Sequence, residues 1–115
     1  MIDLDSFRDT LAVYQKHGWE LARLLTADEP SNEIAALADN ASVLRWKLDA
    51  AWFTRSARPG TMTWELRYLG PSPLALVSVV DDASDLEEEL EFQQSKMLEM
   101  VTQKKGSVGA KNGTS

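Results

Sequence analysis

The sequence predicts an α+β domain, a mostly antiparallel sheet of three to four strands with helices packed on it and a long helix toward the C-terminal end. Three observations lead there. Thr63-Trp64-Glu65-Leu66-Arg67-Tyr68 places Trp64, Leu66 and Tyr68 on one face and charged Glu65 and Arg67 on the other, the two-residue period of a half-covered strand. Leu4, Phe7, Leu11 and Tyr14 recur at spacings of three and four, which is the stripe of an amphipathic helix. Leu86, Leu90, Met97 and Val101 trace a longer stripe, with Phe92 and Met100 beside it, behind a run of acids. An all-helical bundle is the alternative, because Leu4, Phe7, Leu11, Tyr14, Gly18, Leu21 and Leu25 also alternate spacings of three and four if the helix passes through Gly18.

Each element has local signals. The first helix has Asp3 or Asp5 as N-cap, and it has His17 and Gly18 at its end, where an imidazole suits the carbonyl end of the helix dipole. Trp19 to Leu25 reads as a strand with Trp19, Leu21 and Leu25 on one side. Pro30, Ser31 and Asn32 supply a turn and a cap for a short helix carrying Ile34, Leu37 and Ala38, which closes near Asp39-Asn40 or persists through Ala41, Leu44 and Leu48. Ala51 to Arg55 is strand-prone and leads into Pro59-Gly60, so it pairs with the strand at Thr63 as a hairpin. In that hairpin Trp52 and Thr54 share a face with Trp64 and Leu66. Phe53 and Arg55 share the other with Glu65 and Arg67, and this second face is expected to stay mostly wet.

Gly70-Pro71-Ser72-Pro73 forces a turn, and Leu74 to Val80 is apolar on both faces apart from Ser78, so it is expected to be the most deeply buried strand. The last helix opens at Asp81 to Ser84, with Ser84 and Glu87 at capping-box spacing and Lys96, Lys104 and Lys105 collected toward its other end. Residues 1–105 form a single domain on this reading. Residues 106–115 lack periodicity and bulk and are expected to be a disordered tail.

Composition bounds function. A chain of 115 residues leaves room for one core. No apolar run reaches the roughly 18 to 20 residues of a membrane helix. Acids at Asp3 and Asp5 stand where a secretory signal carries bases, and cysteine is absent, so the expected location is cytoplasmic. Twelve Lys and Arg against eighteen Asp and Glu give a net charge of -6, which argues against nucleic acid and suits a basic protein partner.

No catalytic constellation, cofactor fingerprint or metal site emerges. His17 is the one histidine, and Gly60, Gly70 and Gly106 are isolated, so no phosphate-cradling loop forms. The acids from Asp81 to Glu91 lack the glycine-punctuated spacing of a calcium loop and read as a solvated helix face. The one set of residues with binding chemistry is Arg23, Phe53, Arg55, Glu65 and Arg67, since arginines beside an aromatic suit carboxylates, phosphates or bases.

Four tryptophans in so short a chain point to aromatic surface that a second copy covers. The expected function is therefore a non-enzymatic protein-interaction domain that forms a homodimer. The alternatives are an acidic inhibitor of the immunity type that neutralises a basic partner, and a small-molecule-binding domain using the arginine-bearing sheet face.

Overall fold

The computed structural model describes residues 2–110, and the side chains of 57 and 104–110 lie outside that description. In chain order the described residues form α1 (Leu4–Lys16), β1 (Glu20–Thr26), α2 (Asn32–Leu37), β2 (Ser42–Arg45), β3 (Ala50–Arg58), β4 (Thr61–Tyr68), β5 (Ala75–Val80), a 3₁₀ turn (Ala83–Asp85) and α3 (Leu86–Ala110). The strands make one sheet in the order β2-β1-β3-β4-β5. Only β1 and β2 pair in parallel, through the α2 crossover; the other pairs are antiparallel. The fold is thus the expected α+β class, with five strands rather than three or four.

The caps follow the local chemistry. Asp3 accepts from the Ser6 backbone N–H at the start of α1, and Ser31 accepts from that of Ile34 at the start of α2. His17 is the C-cap of α1, and Gly18 turns away with φ of 86°, a left-handed conformation that glycine adopts without strain. At the other end of the chain Asp82, rather than Ser84, is the cap: its carboxylate accepts from the Ser84 N–H and Oγ. Glu87, Glu88 and Glu89 then fill the first turn of α3, where the dipole favours them.

The sheet is covered on both faces, and each face carries its own core. On one side α1 and α2 bury Phe7, Leu11, Tyr14, Ile34 and Ala38 against Leu24, Ala51 and Phe53. On the other side α3 buries Leu90, Met97 and Val101 against Leu25, Ala50, Trp52 and Leu66. β3 is therefore the central strand, and Ala50, Ala51, Trp52 and Phe53 are all fully buried. The indole N–H of Trp52 donates to Gln94 on α3 at 2.9 Å, which satisfies its one polar group.

Three expectations are corrected. The face shared by Phe53 and Glu65 is not mostly wet, because α1 lies over it and Phe53 is fully buried. Trp19 and Leu21 do not share a side with Leu25: a β-bulge between Leu21 and Arg23 shifts the alternation, so Trp19 and Leu21 join the α1 side and Leu25 the α3 side. The short second helix closes before Asp39-Asn40, in keeping with the first of the two endings the sequence offered, and Ser42–Arg45 follows as an edge strand beside β1.

β5, finally, is the other edge strand rather than the most buried one. Ser78 and Val80 are buried beneath α3, but α1 and α2 stop short of β5, so Val77 and Val79 stay 56% and 57% exposed on the opposite face. α3 itself runs to Ala110, past the boundary expected at Gly106, and residues 111–115 of the expected tail lie outside the described residues. No described helix is long and apolar enough to cross a membrane.

Candidate functional site

The residues singled out for binding fall into three places. Phe53, Glu65 and Arg67 come together beneath α1, because Phe53 pairs with Glu65 across β3 and β4, and Arg67 follows two residues along the same face. Tyr14 of α1 closes the group from above. Its ring lies flat on Phe53, with centroids 3.8 Å apart and planes 10° apart, and its hydroxyl donates to Glu65.

The Arg67 guanidinium lies close enough to the phenol to act on it electrostatically, so Tyr14 sits between a cation and the Glu65 carboxylate in a mainly apolar layer. Burial, followed by the hydrogen bond to Glu65 and its negative charge, pushes the Tyr14 hydroxyl up to about 12, with Arg67 working in the opposite sense. The sequence signal for Tyr14 was a tyrosine on an apolar helix stripe, since a buried phenol needs a polar partner.

Arg55 is adjacent but outward. It stacks over Trp19, with its guanidinium carbon 4.6 Å from the ring centroid, and donates to the His17 carbonyl at 3.1 Å, so it closes the end of α1. Arg23 sits on the opposite face, carried there by the bulge. It pairs with Glu87 of α3 at 2.5 Å and approaches the Trp64 ring at 5.9 Å. That hydrogen bond holds the Glu87 carboxyl below its ordinary value. Both arginines are thus engaged within the fold.

Beside Arg67 the surface recedes into a cleft of about 520 Å³ between the N-terminal half of α1 and the connection from β4 to β5. Ser6, Asp9 and Thr10 line one wall, and Arg67, Leu69 and Pro71 line the other. Gly70 packs against the Tyr68 ring so closely that a Cβ there would push the end of that ring aside. Arg67 Nε is buried and has no hydrogen-bond partner among the described residues.

A second surface lies at the β5 edge. Val77 and Val79 are bare on the face that α1 leaves open, and β5 carries no charge, proline or register shift along Ala75–Val80. β2, the opposite edge, is shorter and ends in Arg45, which reaches the Ala27 carbonyl and Glu29. The α3 flank above β5 is identified by its contacts: Glu89 accepts from Ser78 of β5, whereas Gln94 and Glu87 reach β3 and β1. Phe92, Lys96 and Met100 follow Glu89 at helical spacing and so share its flank, and Phe92 and Met100 are 59% and 38% exposed.

Among the described residues no group of three or more His, Cys, Asp or Glu is placed to hold a metal ion. Compared with family models, with curated proteins and with solved structures, the chain matches none of them.

Proposed function

We propose that the protein is a non-enzymatic interaction module that acts as a homodimer, joined along β5. The single observation that carries this reading is the uncharged, unbroken β5 edge with Val77 and Val79 bare beside it. Natural sheets block such edges with charges, prolines or bulges, because an open edge pairs with whatever strand is offered. A second copy of the same strand, running antiparallel across a two-fold axis, is self-complementary.

The same axis accounts for two further features. It sets the bare valines of one copy beside those of the other, and it brings the two α3 flanks with Phe92 and Met100 toward each other on the opposite face of the joined sheet. The acids that follow β5 do not oppose it. In an antiparallel pairing Asp81 and Asp82 of one copy fall beside the Pro73 end of its partner's strand and not beside their own counterparts.

Size exclusion with light scattering on the full chain tests this reading, in low and high salt, for the native sequence and for Val77→Lys and Val79→Lys. The expected result is a salt-resistant dimer that both variants convert to a folded monomer. A native monomer, or a dimer indifferent to both substitutions, overturns it. A dimer that dissolves at high salt also overturns it, since an apolar and backbone-paired contact is not screened in that way.

A further inference from the structure

The cleft beside Arg67 lies away from the β5 edge and has its own chemistry. Its volume, about 520 Å³, falls within the roughly 300–1,000 Å³ of small-molecule sites. Arg67 lines the cleft and supplies a cation that has no salt-bridge partner among the described residues. A guanidinium in that state is matched by a carboxylate, which meets its planar fork with two parallel hydrogen bonds.

The rest of the wall narrows the choice. Asp3 and Asp9 also line the cleft, and Asp3 is engaged in capping α1, which leaves Asp9 as the carboxylate facing the recess. A plain anion or a phosphate would meet two carboxylates on a chain of net charge -6, and so carries a repulsive cost. A ligand bearing an ammonium and a carboxylate offsets both signs. Ile2, Leu69 and Pro71 add apolar surface for a hydrocarbon body.

We infer that this cleft binds a small zwitterion of the amino-acid type, with its carboxylate on Arg67, its ammonium toward Asp9 and an apolar side chain against Leu69 and Pro71. Phe53, Tyr14 and Glu65 hold Arg67 in place from behind and do not touch the ligand. Occupancy is independent of the β5 contact, which shares no residue with the cleft.

Amide chemical-shift titration of the full chain tests the assignment, with leucine, 4-methylpentanoate, isopentylamine and inorganic phosphate as probes. Leucine is expected to shift the amides of residues 3–10 and 67–70. The two half-molecules, each lacking one charged group, are expected to bind at least about tenfold more weakly, the equivalent of losing one paired ion of about 1.4 kcal/mol.

Arg67→Met should abolish the leucine response. Because Arg67 also braces Tyr14, the exposed Asp9→Asn serves as the second variant and should weaken leucine while leaving 4-methylpentanoate unchanged. The inference is overturned if leucine shifts no cleft amide, if phosphate or 4-methylpentanoate binds as well as leucine, or if Asp9→Asn leaves leucine binding intact.

Discussion

Tyr14 and Glu65 are fifty-one residues apart in the chain, yet the phenol of one donates to the carboxylate of the other beneath α1. The bond ties the first helix to the fourth strand, and the stacking of Tyr14 on Phe53 supplies the apolar half of the same contact.

The titration of Tyr14 follows from that bond. The folded chain holds the phenol proton up to about 12, against 10.0 for an ordinary tyrosine. The associated stabilisation is therefore complete below the ordinary value and is lost as pH rises from there through the folded value. Chemical denaturation across that alkaline window should show stability falling in the native chain and falling less in Tyr14→Phe. Glu65→Gln should bring the Tyr14 midpoint down, because it removes the hydrogen-bonded negative charge, and Arg67→Met should move it up. At neutral pH Tyr14→Phe should cost about 1–2 kcal/mol, the loss of a partly buried hydrogen bond to a charged group.

Trp52 and Gln94 make the equivalent tie on the other face. Gln94→Ala would leave a fully buried indole N–H without its acceptor, with an expected loss of about 1–3 kcal/mol. Trp52→Phe removes the donor as well as some packing. A double-mutant cycle by denaturant unfolding should show that Gln94→Ala costs less in the Trp52→Phe background than in the native one. Equal costs in the two backgrounds would mean that the hydrogen bond contributes nothing to stability.

Ser78 and Glu89 join β5 to α3. Ser78 Oγ donates to Glu89 at 2.5 Å and Gln93 donates to the same oxygen at 3.0 Å, and these two bonds, Ser78 first, hold the Glu89 carboxyl below its ordinary 4.5 against the opposing effect of burial. A depressed carboxyl stabilises the fold above its unfolded value and loses that contribution as pH falls through its folded value. Ser78→Ala should therefore raise the Glu89 midpoint in a side-chain NMR titration and flatten the acid limb of the stability profile, with a loss of about 1 kcal/mol at neutral pH.

What the sequence conveyed of all this was local. Caps at Asp3, His17, Gly18 and Ser31 were legible because each rests on one side chain and its neighbouring backbone. The hairpin about Pro59-Gly60 and the face that Phe53 shares with Glu65 were legible from the turn residues and the alternation, but the register shift between Ser56 and Arg58 that makes the two residues partners was not. The bulge between Leu21 and Arg23 left no such mark, so the sequence grouped Arg23 with Phe53, Glu65 and Arg67, from which the bulge separates it.

The place of β5 was hidden for a different reason. A strand apolar on both sides suits a central position and an open edge equally, and only the order of strands decides between them. The candidate site was partly legible. Glu65 and Arg67 were read together, but neither Tyr14 above them nor the cleft formed with α1 follows from strand alternation, because both depend on where a helix distant in sequence comes to rest.

The β5 contact is the central claim, and amide hydrogen exchange at low and high protein concentration measures it most directly. The edge amides of β5 have no partner strand among the described residues of one chain, and α3 covers only one of the two faces beside them. If two copies pair there, exchange within Ala75–Val80 should slow as concentration rises, while the central strand β3 stays protected throughout. β5 exchange that is independent of concentration would contradict the account.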